Sequence, residues 1–297
     1  MTRWAWWCNL HGDTVSHRAH WDVLHLQRAL DSLGFASVEA HPAQVDWDNP
    51  PPSVVLIAGQ HHTSDEDVVT IQRVLAALER PVVIVTSDEA SLFPWADVHR
   101  DGITWWISTP RRSVHGDMPD GTRFFGEGAG PPVSLPPVAK DLDVYFAGQA
   151  THRSRRELVG VLQAMDPERV VCEPTAGFMQ GRPRAGYLSQ MARARVVPCP
   201  AGAATVDSFR LYEALELGCV PIVENLDPRG VDEGTWRLMY GPAPLPFPVL
   251  DSWAQLPDFL PYLLHDFDRI SRECQAWWRD RQADLVTWLA EDTAPPA

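Results

Sequence analysis

The sequence lacks any long apolar run. None of its 297 residues belongs to a stretch of about 18 consecutive apolar residues, the length that a membrane-spanning helix requires. The apolar part of its first segment, MTRWAWWCNLHGD, is also too short for a signal peptide. We therefore expect a cytoplasmic protein with no membrane contact, and we interpret the first segment as a strand.

Cysteine is scarce as well. The cysteines are odd in number, form no C-x-x-C pair and in several cases lie in predicted strands, which does not indicate a disulfide framework. Small buried thiols in a reducing compartment fit this pattern best. The five are Cys8, Cys172, Cys199, Cys219 and Cys274.

Basic residues are in the minority. The chain has 25 lysines and arginines against 39 aspartates and glutamates, for a formal net charge of -14. This balance excludes a general attraction to nucleic acid. Hydrophobic residues make up 45% of the chain, which indicates a globular protein, and 297 residues suffice for two domains of ordinary size.

Apolar runs and amphipathic segments alternate along the first half of the chain, which predicts a domain built on a parallel sheet. The expected helices cover residues 21–33 and 64–79, and the expected strands cover residues 4–10, 38–40, 53–58, 81–86 and 103–108. Residues 111–137, rich in glycine and proline, are expected to form an irregular linker. Beyond the linker we expect strands at residues 144–147 and 169–172, a loop at residues 181–184, and helices at residues 187–194, 252–264 and 267–289.

The most informative stretch is residues 196–225, which predicts a strand, a glycine-bearing loop, a helix and a second strand. Asp207 and Ser208 can begin the helix, because a short side-chain oxygen accepts a hydrogen bond from a free amide of the first turn. Gly218 is placed to end it. In an open parallel sheet such a helix begins at the carboxyl edge, where anionic ligands bind.

Two charged side chains follow the start of this helix. Arg210 lies in the first turn and can add its guanidinium to the helix end in holding a phosphate. Glu213, three residues on, can accept both hydroxyls of a ribose. Alternatively, the two side chains form an ordinary salt bridge on a solvated face, worth a few tenths of a kcal/mol.

The segment CPAGAATVDSFRLYEALELGCVPIV, residues 199–223, resembles the nucleotide-sugar segment of the exostosin-like glycosyltransferases. Residues 143–159 resemble the first strand and the arginine-bearing loop of the same domain, and residues 187–200 resemble the approach to the motif. In that approach Arg193-Ala194-Arg195 replaces the Ser-Lys part of the family pattern. The motif positions that match are Pro200, Gly202, Asp207, Ser208, Arg210, Glu213, Ala214, Gly218, Cys219 and Pro221.

The resemblance implies a GT-B fold, an α/β architecture in which two Rossmann-like domains face a central cleft. On that basis we expect an N-terminal acceptor domain over residues 1–139 and a C-terminal donor domain over residues 140–297. The last helix, which carries Trp277, Trp278 and Trp288, is expected to cross back onto the N-terminal domain.

The resemblance also implies a nucleoside diphosphate sugar as donor, a UDP-sugar in our interpretation, with no other cofactor. Ser208, Arg210 and the helix N-terminus would hold the diphosphate, and Glu213 would bind the ribose. Arg153 or Arg156 would neutralise the charge that develops on the β-phosphate as the sugar leaves. The donor-binding residues expected in the motif are Pro200, Gly202, Asp207, Ser208, Arg210 and Glu213.

An inverting sugar transfer, which we expect here, needs one base to remove the proton of the attacking hydroxyl. In a GT-B enzyme that base comes from the N-terminal domain. Asp88 and Glu89 are favoured because they directly follow the clearest strand, and Asp13 and His11 are the other candidates. Each of the four could instead be an ordinary residue of a surface loop.

Four Asp-x-Asp patterns occur, and in metal-dependent glycosyltransferases of the other major fold such a pattern holds a divalent ion. None of the four follows a strand in a small apolar setting, and a chain this acidic produces chance matches, so we predict no metal site. The pairs are Asp46/Asp48, Asp65/Asp67, Asp141/Asp143 and Asp266/Asp268.

Arginines are concentrated in segments that we expect near the cleft. Some would hold the donor diphosphate, and the others could grip the phosphates of an acceptor. The alternative is that they pair with the many acidic residues. The candidates for acceptor binding are Arg111, Arg112, Arg182 and Arg184.

Our leading hypothesis for the acceptor is 5-hydroxymethylcytosine in bacteriophage DNA, because the chain resembles short phage DNA-modifying members of the family in size and in lacking anchors. Such an enzyme must flip the base into its cleft. The alternative acceptors, favoured by the acidic balance, are a cell-surface glycan, a lipid-linked precursor or a small metabolite. A sugar-nucleotide epimerase and a non-catalytic sugar-nucleotide binding protein are the alternatives from other functional classes.

Overall fold

The chain divides into two compact units in a computed structural model. The first unit comprises Met1–Glu127, Leu238–Tyr240 and Gln282–Ala297, and the second comprises Gly128–Arg237 and Gly241–Arg281. The sequence prediction divides the domains at residues 139 and 140. The structure describes residues 3–8, 21–41, 44, 54–58, 65–78, 80–86, 93–98, 100–108, 110–177, 180–203 and 205–294.

The first unit is built on a sheet of six strands, all paired in parallel, in the order β2-β1-β3-β4-β5-β6. Four of the strands predicted along this half, and the short one near residue 38, are confirmed. The sixth falls inside the segment expected to be an irregular linker, because three residues give too little pattern to detect. The strands are β1 (Arg3–Cys8), β2 (Phe35–Ala40), β3 (Val54–Ala58), β4 (Val82–Thr86), β5 (Thr104–Ser108) and β6 (Arg123–Phe125).

The second unit holds a five-stranded parallel sheet in the order β11-β10-β9-β7-β8. Its central strands are short apolar runs buried on both faces, as parallel sheets covered by helices require. The strands are β7 (Leu142–Gln149), β8 (Val170–Thr175), β9 (Ala194–Cys199), β10 (Val220–Glu224) and β11 (Val249–Leu250).

Ten helices occur in the described residues, and none of them combines the length and the apolar character that crossing a membrane would take. In chain order they are α1 (Trp21–Ser32), α2 (Asp65–Ala77), α3 (Trp95–Val98), α4 (Arg112–His115), α5 (Arg153–Gln163), α6 (Arg184–Arg193), α7 (Phe209–Glu216), α8 (Thr235–Tyr240), α9 (Leu256–His265) and α10 (Phe267–Asp292), with a 3-10 helix at Trp253–Gln255.

The start of α6 corrects the sequence prediction. Residues 181–184 were expected to form a loop, yet the helix begins at Arg184. Pro183 occupies the N-cap with a φ of -52, and proline is well tolerated there because its ring fixes φ and the first amides of a helix have no intrahelical partner. Arg184 is therefore fixed on a helix.

The last helix spans both units, as predicted. Its end contributes Leu285 and Leu289 to the core cluster that contains Leu26 and Trp106 of the first unit. Trp106 also donates a hydrogen bond of 2.9 Å from its indole Nε1 to Asp292. The three tryptophans that the helix carries have different surroundings. Trp288 packs against Trp106, while Trp277 packs against Phe247 and Trp278 against Tyr212 within the second unit.

Candidate functional site

The candidate site lies at the carboxyl edge of the second sheet, where β9 leads into a loop, residues 200–208, and then into α7. Parallel strands end at the same edge, so the ends of β7 and β10 lie beside this loop. Two hydrogen bonds show it: Arg210 donates to the Ala147 carbonyl at 2.8 Å, and the Ala201 amide donates to Glu224 Oε1 at 2.6 Å.

Both polar groups of Ala201 are held by side chains. Its amide is bound by Glu224, which is 4% exposed and also accepts a hydrogen bond from the Ser154 hydroxyl. Its carbonyl accepts from Arg155 at 3.0 Å (Nε) and 2.7 Å (Nη2). Burial raises the pKa of Glu224, against the opposing effect of its hydrogen-bond donors. The loop is therefore fixed before any ligand arrives.

Gly202 forms the turn that follows. Its amide donates to the Thr205 carbonyl at 2.7 Å, and a Cβ at this position would lie 2.8 Å from the carbonyl oxygen of Asp207. A larger residue would therefore force the loop apart. Pro200, the first residue of the loop, is buried directly after the end of β9.

Asp207 and Ser208 begin α7 in a different way from the one expected. Asp207 is fully buried and accepts hydrogen bonds from the Ser208 amide at 2.9 Å and the Tyr212 hydroxyl at 2.8 Å. Ser208 occupies the N-cap but makes no side-chain capping bond. Asp207 thus orients the start of the helix, and the Ser208 hydroxyl is not used for capping.

Two buried hydroxyls at this edge have no hydrogen-bond partner among the described residues: Ser208 Oγ and Thr205 Oγ1. Their residues are only 4% and 2% exposed. A buried polar group without a partner costs about 1–3 kcal/mol, and such groups in native proteins usually have a functional explanation. A bound ligand with acceptor oxygens would satisfy both.

Arg210 supplies a buried positive charge. It is 5% exposed, its guanidinium lies 5.1 Å from the centre of the Phe146 ring, and its Nε has no hydrogen-bond partner. Within the part of the chain that the structure describes, no carboxylate lies at ion-pairing distance from it. Gly148 makes room for this side chain, because a Cβ there would lie 2.7 Å from Nη2. Arg210 interacts with Glu213 only at longer range. A desolvated guanidinium without a direct carboxylate contact is the arrangement that an anionic ligand completes.

Glu213 lies on the same helix and is 2% exposed. Arg184 Nη1 donates to its Oε1 at 2.5 Å, while its Oε2 is buried without a hydrogen-bond partner among the described residues. Burial raises the pKa of Glu213, and the nearby Arg184 and Arg210 oppose that shift. The alternative of an Arg210–Glu213 salt bridge on a solvated face is wrong, because both side chains are buried and Glu213 pairs with Arg184.

The first turn of α5 orients its arginines in two directions. Arg153 and Arg156 are exposed, and Arg156 donates to the Thr151 carbonyl at 2.9 Å. Arg155 and His152 instead point to the motif, with His152 Nε2 at 3.3 Å from the Ala201 carbonyl. Burial lowers the pKa of His152. Residues 152 and 155 are three apart and share one face at the helix start, a spacing that could have identified them from sequence.

The four candidate bases, His11, Asp13, Asp88 and Glu89, lie outside the described residues. Their assignment therefore stays a prediction.

The arginines proposed for acceptor binding have different surroundings. In the first unit, Arg111 is buried as the N-cap of α4, with its amide donating to His115 Nδ1 at 2.9 Å, and Arg112 is exposed. In the second unit, Arg182 pairs with Glu173 at 2.6 Å and Arg184 belongs to the cluster around Glu213.

Other arginines near the motif pair with acids, the alternative that the sequence left open. Arg193 pairs with Asp141 at 2.7 Å, and Arg195 and Arg169 both pair with Asp143. One Asp-x-Asp pattern is thus occupied by arginines. Within the described ranges, no group of three or more His, Cys, Asp or Glu side chains is arranged to hold a metal ion.

Comparisons with known proteins show a family match over the second half of the chain and a similar fold over nearly all of it. A family model described as the RXYLT1 C-terminal domain matches residues 144–291. No curated protein matches the chain. Among solved structures, Anabaena HepE in complex with UDP is 10% identical with a TM-score of 0.54, covering 98% of this chain and 99% of that one. HepE in complex with UDP and glucose is also 10% identical, with a TM-score of 0.56 over 97% and 98% of the two chains. At this identity the likeness concerns the fold.

Proposed function

We propose that this chain, which belongs to the exostosin-like glycosyltransferases of GT-B fold, transfers a sugar from a UDP-sugar to an acceptor hydroxyl. The observation that carries the proposal is the buried guanidinium of Arg210. Among the described residues it makes no ion pair with a carboxylate, and the hydroxyls of Ser208 and Thr205 have no hydrogen-bond partner there. All three lie near the start of a helix at the carboxyl edge of a parallel sheet.

The diphosphate of the donor would occupy this edge. Arg210 would supply the counter-charge, and the hydroxyl of Ser208 and the amides at the start of α7 would donate hydrogen bonds to phosphate oxygens. Glu213, three residues along the helix, would accept the hydroxyls of the ribose through its unpaired oxygen. The UDP named in the HepE structures supports a uridine donor for this fold.

In the reaction the acceptor oxygen would attack the anomeric carbon of the sugar, and the bond from that carbon to the β-phosphate oxygen would break. Negative charge would then accumulate on the departing UDP, where Arg210 and the helix start would stabilise it. The exposed Arg153 and Arg156 would add to that stabilisation. One of Asp88, Glu89, Asp13 and His11 would take the proton of the acceptor hydroxyl, with inversion at the anomeric carbon.

For the acceptor we propose 5-hydroxymethylcytosine in bacteriophage DNA, in a cytoplasmic setting. A net charge of -14 means that any grip on DNA must come from local exposed arginines such as Arg112, since Arg111 is buried. The alternative acceptor is a cell-surface glycan, a lipid-linked precursor or a small metabolite.

Two measurements, made one after the other, test the proposed function. Calorimetry with UDP tests the donor site, and failure to bind UDP would overturn the proposal. Incubation with UDP-sugars and hydroxymethylcytosine DNA, followed by mass spectrometry of the nucleosides, tests the acceptor. Unchanged nucleosides with every common donor would remove DNA. Donor isomerised without acceptor would indicate an epimerase, and donor bound but never consumed would indicate a binding protein.

A further inference from the structure

We infer that Arg184 is a positioning residue for the nucleoside, holding Glu213 so that the site distinguishes a ribose from a sugar that lacks the 2′- and 3′-hydroxyls. This inference rests on the proposed UDP-sugar function and gives Arg184 a role at the donor site in place of acceptor binding. It predicts that Arg184 acts on affinity only through Glu213 and only for ligands that carry the ribose hydroxyls.

The contact between the two side chains is short and largely buried. Arg184 Nη1 donates to Glu213 Oε1 at 2.5 Å, with the glutamate side chain 1% exposed and the arginine side chain 20% exposed. The partners come from different elements, since Arg184 is the first residue of α6 and Glu213 lies in α7. A charge-assisted hydrogen bond of this kind orients the carboxylate and also stabilises its negative charge.

Arg184 is itself held in place from a third direction. Its Nε and Nη2 donate to the Pro131 carbonyl at 3.1 Å and 2.9 Å. Gly130 allows this approach, because a Cβ at that position would lie 2.8 Å from Arg184 Nη2. One guanidinium thus joins the segment at residues 130–131 to the carboxylate in α7, so its position is determined by the fold and does not depend on a ligand.

The arrangement leaves the remaining hydrogen-bonding capacity of Glu213 for a ligand. Oε1 is directed by Arg184, and Oε2 has no hydrogen-bond partner among the described residues. A carboxylate has about four lone-pair sites, so it can accept from the arginine and from two further donors. Two adjacent hydroxyls of a ribose provide such a pair of donors. A nucleotide without them would leave Oε2 unpaired and gain nothing from Arg184.

The charge of Arg184 also favours the ionised form of Glu213. Burial raises the pKa of Glu213, and Arg184 opposes that shift together with Arg210 from the same helix. The Tyr187 hydroxyl also opposes the rise in the pKa of Glu213 through its proximity, although its oxygen makes no hydrogen bond of normal geometry among the described residues, and the Cys199 thiol lies near the same group. Without Arg184 the carboxyl would hold its proton to higher pH, and a protonated carboxyl accepts ribose hydroxyls less well.

The test compares UDP with 2′,3′-dideoxy-UDP by calorimetry. For Arg184→Met we expect UDP to bind at least about 10-fold more weakly, since the variant loses a charge-assisted hydrogen bond that orients Glu213. The affinity for the dideoxy nucleotide should change less than about 2-fold. UDP binding by the variant should recover as pH rises, because Glu213 then ionises without help, whereas an arginine with a purely structural role would produce no such shift.

Arg193→Met is the matched control, since Arg193 ends the same helix in a surface ion pair with Asp141 and should leave both affinities unchanged. In a Glu213→Gln background, Arg184→Met should add no further loss for UDP. Should R184M fold poorly by circular dichroism, Arg184→Lys, which keeps the charge but cannot form the same fork, provides the comparison and should also weaken UDP selectively.

Three results would overturn the inference. Equal losses for UDP and the dideoxy nucleotide would mean that Arg184 contacts phosphate or supports the site as a whole. No loss for either would mean that Arg184 plays no part. Independent effects of Arg184 and Glu213 in the double variant would break the link between them. Failure of the unmodified protein to bind UDP would instead overturn the proposed function, so the two failures are distinguishable.

Discussion

Arg210 shows how a single residue can identify a site. Its guanidinium is buried, donates to one backbone carbonyl and makes no ion pair with a carboxylate within the described residues. Such a group contributes little to stability, because its charge has lost water without gaining a direct partner of opposite charge. Function explains such a group better than folding does, because ion pairs and packed apolar groups would stabilise the same position more.

Replacing Arg210 with methionine should therefore separate binding from stability. We expect the variant to fold with a melting temperature near that of the unmodified protein, because a buried unpaired charge is exchanged for an apolar side chain of similar length. UDP affinity should fall at least about 10-fold, the effect of losing a charge-assisted contact. Calorimetry and thermal melting measure the two quantities. Arg169→Met, which removes a surface ion pair with Asp143, is the control that should keep UDP affinity. Near-normal affinity in R210M would place the diphosphate elsewhere.

Gly148 provides a second test at the residue scale without touching a charged group. A methyl group in Gly148→Ala would lie 2.7 Å from Arg210 Nη2, so the guanidinium must shift. We expect weaker UDP binding, by roughly 10-fold, because charged hydrogen bonds depend steeply on geometry. Gly160→Ala is the matched control, since a Cβ there meets no atom within 4 Å and lies in α5. The control should raise stability by up to about 1 kcal/mol and leave binding intact. Equal UDP affinities in the two variants would contradict the assigned position of the diphosphate.

At the scale of elements, the loop between β9 and α7 depends on a carboxylate that comes from β10. Glu224 binds the Ala201 amide and the Ser154 hydroxyl while almost fully buried. Because burial raises its pKa, folded Glu224 keeps a proton at a pH at which the unfolded chain has already lost it. The free energy of unfolding then decreases as pH rises from the pKa of Glu224 in the unfolded chain through its higher pKa in the folded protein.

The corresponding experiment measures the melting temperature between about pH 4 and pH 8. The unmodified protein should lose stability as pH rises through this window to the extent that Glu224 contributes. Glu224→Gln should show a flatter dependence, because a neutral amide can still accept from Ala201 and donate to Ser154. A slope in E224Q as steep as that of the unmodified protein would show that Glu224 does not hold its proton in the folded state.

At the scale of the whole molecule, the predicted GT-B fold is confirmed, with two parallel sheets and a last helix that ends in the first unit. The end of α10 fills part of the first unit's core with Leu285 and Leu289, both at most 3% exposed. The first unit therefore needs residues far along the chain to complete it.

Leu289→Ala should accordingly destabilise the protein by about 2–5 kcal/mol, the range for removing a buried leucine side chain from a core. Chemical denaturation followed by tryptophan fluorescence would measure it. Thr287→Ala, an exposed change two residues earlier, should cost far less. When measured without denaturant, the UDP affinity of L289A should equal that of the unmodified protein, since Leu289 belongs to the unit that does not contain Arg210. An unaltered unfolding free energy would mean that the helix end is not part of the core.

The sequence by itself determined the elements and the local motif. Apolar runs and helix periodicity located most of the strands and the longer helices, while the short helices α3, α4 and α8 and the short strands β6 and β11 were not predicted. The spacing within residues 199–223 placed Arg210 and Glu213 on one helix that begins at a sheet edge. Gly218 ends that helix with a φ of 66, as its position predicted. These features follow from neighbours within a few residues, so pattern alone contains them.

Only the tertiary structure decided which partners these residues meet. Arg155 turns to the motif while Arg153 and Arg156 face solvent, and Arg184, a candidate for acceptor binding, pairs with Glu213. The strand at residues 123–125 exists because β5 offers an edge to pair with, since three residues have too little signal of their own. Such choices depend on contacts between residues far apart in the chain, which local spacing does not encode.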